Sequence, residues 1–206
     1  MDTQTLDPRR LLRYPVVYNT FQKIVGAEAP RKRFIQDFVA PRAGTRMLEI
    51  GCGPGTNCEW VPTSVAFVGC DLSSEYIDYA TRRYGNRATF FNVPVGSLED
   101  LDLEPFDTVV AIALLHHLSN EEVLTLCREV RHLLKPGGAF KTIDPCFTAD
   151  QSYVQRFIAA HDRGNHVRYP EQYQELLECV FDRVDIRTEK NKMRLPGHGA
   201  MIAAYR

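Results

Sequence analysis

The chain beyond residue 45 alternates short apolar runs with helical patterns, and this alternation limits the possible folds more than any other feature. Two serines mark helix starts: Ser73 predicts the N-cap of a helix that runs to about Tyr84, and Ser119 with Glu122 forms a capping-box signature. Strands that alternate with helices form an open parallel sheet with helices on both faces. The five runs predicted as strands are Arg46–Cys52, Val65–Leu72, Ala88–Val93, Phe106–Leu115 and Ala139–Asp144.

The end of the chain has a different pattern. Pro170 predicts the start of a helix, and Phe181–Glu189 and His198–Tyr205 then predict two strands joined by a short turn. Neighbouring strands with no helix between them pair antiparallel. The sequence therefore predicts an α/β fold with a mostly parallel sheet that ends in an antiparallel pair.

The first forty residues predict helices that are attached to a single domain. Val17, Phe21 and Ile24 lie at helical spacing, Gly26 ends that run, and Pro41 closes a second apolar stripe. A chain of 206 residues with 44% hydrophobic and 25% charged residues fits one globular domain. We therefore divide the chain into a helical segment, residues 1–44, and a main domain, residues 45–206.

Charge and hydropathy disfavour several classes of protein. The formal net charge is −1, from 25 basic and 26 acidic residues, whereas dedicated nucleic-acid binders usually carry a basic excess. The longest unbroken apolar run, Val109–Leu115, is far shorter than the about 20 residues that span a bilayer, and the polar N-terminus shows no secretory signal. Six cysteines without a CxxC pair predict reduced thiols in a cytoplasmic protein. We therefore expect neither a nucleic-acid nor a membrane partner.

The most informative segment is a glycine-rich turn at the end of the first predicted strand. Gly51, Gly53 and Gly55 form a GxGxG pattern there, and open α/β sheets bind ligands at this edge. Asp71 ends the next strand twenty residues after Gly51. Its carboxylate is placed to accept hydrogen bonds from both hydroxyls of a ribose. Together these features predict an adenosine-containing cofactor.

Other nucleotide-binding and catalytic motifs do not fit this sequence. The nicotinamide fingerprint is GxGxxG rather than GxGxG, and no tyrosine has a lysine four residues after it, as short-chain dehydrogenases need. The chain has no P-loop, no GxSxG and no HExxH pattern. No cluster of Asp, Glu and His has the spacing of metal ligands, so we expect no metal.

Four segments together resemble the motifs of class I S-adenosylmethionine-dependent methyltransferases, in the type 11/25-like group of small bacterial members. They occur in the family's order and at its usual spacings over about residues 45–145, as Glu49–Gly55, Gly69–Ser73, Phe106–Leu118 and Leu134–Gly138. The resemblance implies a Rossmann-like three-layer sandwich, with a seven-stranded, mostly parallel sheet and an antiparallel last strand. It also implies S-adenosylmethionine as cofactor, S-adenosylhomocysteine as product and residues 1–44 as a helical lid.

The resemblance further implies which residues bind the cofactor. The three glycines of the turn would line its methionine and ribose portion, Asp71 would hold the ribose hydroxyls and Leu72 would pack on the adenine. Many members place an acid against the adenine amine after the third strand; none is present here, so backbone atoms or Ser97 would make that contact. Ala111 would face the carboxylate end of the cofactor. The expected cofactor contacts are Glu49, Gly51, Cys52, Gly53, Gly55, Asp71, Leu72, Gly96, Ser97 and Ala111.

His116, His117 and Asp144 are the candidates for catalysis. The two histidines end the fourth predicted strand, beside the expected methyl position, where one could act as a base or orient the acceptor. The alternative is that one histidine only packs or hydrogen-bonds the loop, and the sequence does not distinguish the two. Asp144 ends the fifth strand and could hold a substrate, pair with a histidine or cap the next turn. A base is needed only if the acceptor must lose a proton.

A polar loop over residues 162–168 is the candidate acceptor-binding segment. Arg163, His166 and Arg168 could clamp an anionic group of the acceptor, although a solvated surface turn is the alternative. Tyr14 and Tyr18 lie in the N-terminal helices and could close the pocket as part of the lid. Ordinary packing of these tyrosines is equally consistent with the pattern.

The sequence therefore predicts a methyltransferase that acts on a small-molecule or sugar-like acceptor, with oxygen as the expected acceptor atom. A nucleic-acid methyltransferase is disfavoured, because Ala111–Leu114 stands where such enzymes often carry Asn/Asp-Pro-Pro-Tyr/Phe. Two alternatives stay open, namely a protein methyltransferase and a non-catalytic, cofactor-binding regulator. The oligomeric state is not predicted.

Overall fold

The computed structural model describes residues 13–160, 164–190 and 197–206. Its strands are β1 (Arg46–Ile50), β2 (Ala66–Asp71), β3 (Ala88–Asn92), β4 (Phe106–Ile112), β5 (Leu134–Pro145), β6 (Arg183–Lys190) and β7 (His198–Tyr205). Within the described ranges they form a seven-stranded sheet in the order β3-β2-β1-β4-β5-β7-β6. The first five strands pair in parallel, and β7 lies antiparallel between β5 and β6. The predicted Rossmann-like sheet with an antiparallel last strand is confirmed.

The described helices are α1 (Pro15–Val25), α2 (Glu28–Arg33), α3 (Ser74–Tyr84), α4 (Asn120–Leu133), α5 (Tyr153–Ala160) and α6 (Pro170–Glu178). Three of them, α3, α4 and α6, begin where the sequence predicts them. The Ser73 hydroxyl accepts a hydrogen bond from the N–H of Tyr76 at the start of α3, and the capping box of Ser119 and Glu122 opens α4. Gly26 ends α1 in the left-handed conformation, with φ of 75°.

The N-terminal segment covers one face of the sheet. The connection from β1 to β2 contains only a short 3-10 turn, Thr56–Trp60, and α2 continues into a π-helical turn, Phe34–Val39, that packs beside it. Lys141 on β5 donates hydrogen bonds to the carbonyls of Phe38 and Val39, at 2.9 and 3.0 Å. The π-helical turn is thereby fastened to the sheet. The buried residues on this face are Phe34, Ile35, Val39, Met47, Cys58, Val61, Val65, Phe67, Tyr84, Val110 and Met201.

The opposite face of the sheet is covered by α4 and α6. The stripe predicted for α4 is buried there, as Val123, Leu126, Cys127, Val130 and Leu133. These side chains pack on β4, β5 and β7 in the larger hydrophobic core. Removing this much apolar surface from water is the main source of stability for such a sandwich. All six cysteines are free thiols, as predicted.

Three segments differ from the prediction. β4 ends at Ile112 rather than Leu115, because Ala113 has a φ of 54° and takes the backbone out of the extended conformation. β5 begins at Leu134 instead of Ala139, with an irregular register beside Phe106. The apolar stripe of α1 is not buried: no side chain of this helix is buried in the structure.

Candidate functional site

The glycine-rich turn after β1 is held against the end of β2. The N–H groups of Gly51 and Cys52 both donate to the carbonyl of Cys70, at 2.8 and 3.0 Å. Gly51, Gly53 and Gly55 have φ values of 70°, 55° and 73°, which only glycine adopts without strain. The GxGxG pattern therefore reflects three left-handed residues in one tight turn.

Asp71 connects this turn to the start of α3. One oxygen of its carboxylate accepts from the N–H of Gly53 at 2.8 Å, and the other accepts from the N–H of Ser73 at 2.9 Å. Burial raises the pKa of Asp71, and the hydrogen bonds from the backbone oppose that rise. A carboxylate has about four acceptor sites, so each oxygen retains a lone pair for a ligand hydroxyl. Leu72 follows with 74% of its surface exposed, on the open side of the turn.

Gly55 and Cys52, two of the expected cofactor contacts, both pack against the interior of the fold. A Cβ atom at Gly55 would lie 2.9 Å from the side chains of Ala80 and Phe90, so the glycine allows the turn to pack closely on α3 and β3. Cys52 is buried beneath the turn, and burial raises the pKa of its thiol well above the ordinary value.

Glu49 is fully buried under the same turn. One carboxylate oxygen accepts from the side-chain amide of Asn57 at 2.5 Å, and the other has no hydrogen-bond partner in the part of the chain that the structure describes. Burial raises the pKa of Glu49 to about 7, although the hydrogen bond from Asn57 opposes this. Glu49 therefore supports the turn from inside the fold. Asn57 is a site residue that the sequence patterns did not reveal.

The loop after β3 is organised by a residue that sequence reasoning missed. Glu129 on α4 accepts hydrogen bonds from the N–H groups of Gly96 and Leu98, both at 2.8 Å. Gly96 has a φ of 95° and is exposed, and Ser97 is half-buried beside it. Glu129 is an acid within the apolar stripe of α4, and that position is the signal that could have identified it.

The end of β4 reaches the turn through different residues from the one expected. Ala111, which was expected to face the carboxylate end of the cofactor, is fully buried in the core. The chain turns at Ala113, whose N–H donates to the carbonyl of Ile143 at 2.8 Å. The side chain of Leu114 then lies against Gly51, 3.2 Å from where a Cβ atom would be. Ala113 and Leu114 therefore border the turn at the strand end.

The structure shows that the two histidines have different environments, which the sequence could not show. The ring Nδ1 of His116 lies 2.8 Å from a carboxylate oxygen of Asp144, which also accepts from the backbone N–H of His116 at 3.1 Å. The hydroxyl of Thr142 donates to the other oxygen of Asp144 at 2.7 Å. Only 3% of His116 and 1% of Asp144 is exposed. Asp144 thus fixes the ring of His116 with Nδ1 as the donor.

His117 has a different environment from its neighbour. It is exposed, and its ring centroid lies 4.1 Å from that of His116. The loop after α5 covers His116 instead: Gly164 packs on the His116 ring so closely that a Cβ atom would overlap it, and the N–H of His166 donates to the His116 carbonyl at 3.0 Å. His117 is therefore the accessible member of the pair. The side chain of His166 is exposed.

Arg168, which was expected to clamp the acceptor, makes its contacts within the protein. The guanidinium has five N–H donors, and each is engaged inside the protein. It donates to the carbonyls of Leu115, Leu118 and His166 and twice to the side-chain oxygen of Asn120, at 2.7 to 3.0 Å. Arg168 is buried and fastens the loop that follows β4 to the start of α6.

Three further residues, Tyr14, Tyr18 and Arg163, were expected to contact the acceptor. Tyr18 is half-buried, stacks obliquely on Tyr76 with ring centroids 5.5 Å apart, and lies 4.0 Å from the Cβ position of Gly53. Tyr14 is exposed, and its hydroxyl accepts from Arg13 at 2.7 Å. Tyr18 is therefore beside the turn, whereas Tyr14 points outward. Arg163 lies outside the described residues.

The described ranges lack the features of a metal site and of a membrane span. They contain no group of three or more His, Cys, Asp or Glu side chains arranged to hold a metal ion. They also contain no helix with the length and apolar character to cross a bilayer.

Comparisons with known proteins agree with this geometry. A family model described as a methyltransferase domain matches residues 47–138, which include the glycine turn, Asp71 and the two histidines. Human thiol S-methyltransferase TMT1A is 28% identical over 140 residues, which cover 65% of this chain and 55% of the human protein. Ubiquinone biosynthesis O-methyltransferase of Brucella ovis is 29% identical over 173 residues, or 75% of this chain and 66% of that enzyme. The chain thus spans less than two thirds of the length of these relatives.

A solved structure shows the same fold. An S-adenosylmethionine-dependent methyltransferase from Methanosarcina mazei superposes with a TM-score of 0.70 at 19% identity, covering 82% of this chain and 97% of that one. The family match falls on the strands that build the glycine turn and on the turn itself. Residues 47–138 therefore match a methyltransferase domain, and the chain is similar in sequence to methyltransferases and in fold to an S-adenosylmethionine-dependent methyltransferase.

Proposed function

We propose that this protein methylates an oxygen atom of a small-molecule or sugar-like acceptor, with S-adenosylhomocysteine as the second product. The observation that carries the proposal is the carboxylate of Asp71. It accepts a hydrogen bond from the N–H of Gly53 at 2.8 Å and has further lone pairs with which it could accept hydrogen bonds from the hydroxyls of a ribose. A turn braced in this way before binding loses little conformational entropy when the cofactor binds.

Different residues of the chain would accept the proton and position the group that accepts it. When bound, S-adenosylmethionine supplies an electrophilic methyl group on a sulfonium. A hydroxyl acceptor must lose its proton for this transfer, so a side chain beside the acceptor would have to take that proton. His117 is exposed at the end of β4 and is our candidate for this base. His116 and Asp144 form the buried pair that fixes the turn from which His117 projects.

Several observations favour a small acceptor. Within the described residues, large apolar side chains are exposed on and beside α1, on α5, directly after β2 and directly before α6. They are Tyr14, Val16, Val17, Phe21, Ile24, Leu72, Tyr153, Val154, Phe157 and Tyr169. A surface of this kind, with a net charge of −1, suits a partly apolar molecule better than a nucleic acid. Oxygen is favoured by the O-methyltransferase relative, which matches 75% of this chain.

The N-terminal helices complete the proposed site. We assign residues 1–44 as a lid over residues 45–206, because Tyr18 of α1 lies 4.0 Å from the Cβ position of Gly53. A lid that excludes water would strengthen the electrostatic interactions around the acceptor. Six free thiols support a cytoplasmic location for the enzyme.

An acceptor screen tests this function. The protein is incubated with methyl-labelled S-adenosylmethionine and a panel of phenols, sugars, thiols, amines and protein extracts, and S-adenosylhomocysteine is measured with the labelled product. We expect label on a hydroxyl compound. His117→Ala should lower turnover by about 10²-fold or more while cofactor affinity is kept. Label on protein alone, or on no acceptor at all, would contradict the proposal and favour one of the two alternatives.

A further inference from the structure

A cavity of about 170 Å³ lies away from the glycine turn, between the N-terminal segment and the end strands of the sheet. Its floor is formed by Ile143 on β5 and Met201 on β7, which are paired across the sheet, and Met201 pairs on its other side with Arg187 on β6, at the edge of the cavity. Phe34 and Phe38 of the π-helical turn form the apolar wall above this floor. The cavity is therefore built from rigid elements on both sides.

The size of this cavity fits one aromatic ring. An engineered cavity of about 150 Å³, lined by apolar side chains, binds benzene. The wall residue Phe34 and the floor residue Met201 are both buried. Met201 offers a polarisable thioether, a group that packs well on aromatic rings.

The rim of the cavity is predominantly cationic. Arg33, Arg187 and Lys190 line it, against the carboxylates of Asp37 and Glu189. Three cations thus face two acids around an apolar floor. An apolar site with a few convergent polar groups at its edge has the composition of a small-molecule site.

Arg187 is the best-placed of these cations. Its guanidinium lies over the ring of Phe38, 4.7 Å from the centroid, which holds it at the cavity wall. Its ion pair with Glu189 spans 3.6 Å between Nε and Oε1, with both side chains about half exposed. An exposed pair at this distance contributes little and leaves the guanidinium fork able to engage a carboxylate in two hydrogen bonds.

We infer that this cavity binds a single-ring aromatic carboxylate, with the ring on the floor formed by Ile143 and Met201 and the carboxylate on Arg187. The site is separate from the glycine turn that binds the cofactor. Binding of this ligand does not depend on the methyl-transfer proposal, and it can be tested on the protein without cofactor or acceptor.

The test uses methyl-¹³C methionine labelling and benzoate as the probe. The sequence has four methionines; Met201 lines the cavity, whereas Met47 lies buried in the same face of the sheet but outside it. During a benzoate titration we expect a saturable shift of the Met201 methyl resonance and an unchanged Met47 resonance. Benzyl alcohol, which has the ring without the charge, should bind at least about tenfold more weakly. Met201→Leu identifies the resonance.

Two arginine variants decide whether the rim recognises the charge. Arg187→Gln should weaken benzoate binding by about tenfold or more. Arg183→Gln is the matched control, because Arg183 lies on the same strand and stacks on the Tyr205 ring instead, 4.0 Å from its centroid. An unmoved Met201 resonance would overturn the inference. Equal affinity for benzoate and benzyl alcohol, or equal effects of the two variants, would do the same.

Discussion

Asp144 accepts two hydrogen bonds from His116, one from the backbone N–H at 3.1 Å and one from the ring Nδ1 at 2.8 Å. His116 lies in the short turn after β4 and Asp144 lies at the end of the neighbouring strand β5, so this pair fixes the loop after β4 relative to the sheet. Because both side chains are buried, the pair is shielded from competing water. The position of the adjacent His117 depends on it.

Replacing Asp144 should therefore cost more stability than replacing a surface acid. We expect Asp144→Asn to lower the free energy of unfolding by about 2 kcal/mol, because His116 and Thr142 would lose a charged acceptor in a buried site. Asp182→Asn is the control, since its ion pair with Arg131 is exposed and should change stability by less than about 1 kcal/mol. Urea denaturation measures both, and equal effects would argue against a buried role for the pair.

The buried Glu49 should make stability depend on pH. The pKa of Glu49 in the folded protein is about 7, above the ordinary value of 4.5. Between these two pH values the folded protein retains a proton on Glu49 that the unfolded chain releases. The contribution of Glu49 to the free energy of unfolding is therefore fully present below the unfolded pKa and is lost as the pH rises through the folded one. The loss amounts to about 3 kcal/mol at most between about pH 5 and about pH 8.

Glu49→Gln isolates this effect, because glutamine does not ionise. In denaturation curves at several pH values, the variant should gain stability relative to the wild type as the pH rises. Glu104→Gln, at an exposed position, should follow the wild type throughout. A stability difference between Glu49→Gln and the wild type that stays constant with pH would contradict the raised pKa.

Gly55 should tolerate alanine less well than another glycine with the same backbone conformation. Its φ of 73° is matched by the 75° of Gly137, but a Cβ atom at Gly137 would meet nothing within 4 Å. Gly137→Ala should therefore cost about 1 kcal/mol from the left-handed conformation alone. Gly55→Ala adds the overlap with Ala80 and Phe90, for a further cost of about 1–3 kcal/mol. Thermal unfolding of both variants provides the comparison, in which similar values would rule out the tight packing.

Arg168 should behave as a structural residue. Arg168→Met leaves the carbonyls of Leu115 and Leu118 and the side chain of Asn120 without their donor, so we expect a loss of about 2–4 kcal/mol. Arg183→Met, at an exposed ion pair with Asp185, should change stability by about 0.5 kcal/mol or less. If Arg168→Met were as stable as this control, the network around Arg168 would carry no weight.

The succession of strands and helices along the chain followed from local patterns in the sequence. Ser73 and the Ser119–Glu122 box set helix starts, and glycines and prolines set the ends, because caps and turns depend on nearby residues only. The bounds of β4 were less accurate. Ala113 adopts a left-handed conformation that its residue type disfavours, and the surrounding tertiary contacts impose it.

The site was predictable where the backbone itself forms it. The glycine turn and Asp71 could be identified because glycine and a strand-end acid are rare requirements at fixed spacing. The partners of side chains were not predictable, since Asp144 meets His116 across 28 positions and Glu129 meets Gly96 across 33. The contacts of Arg168 were not predictable for the same reason: the sequence shows a charged residue in a polar loop, and only the fold shows what its donors contact.

Calorimetric titration with S-adenosylmethionine tests the central claim, that the turn braced by Asp71 binds the cofactor. We expect one cofactor per chain, and an affinity for Asp71→Asn that is about 10–100-fold weaker, because the ribose hydroxyls would lose a charged acceptor. Asp78→Asn, at an exposed position on α3, should bind like the wild type, with circular dichroism confirming that both variants are folded. No binding to the folded wild-type protein, or equal affinities of the two variants, would contradict the account.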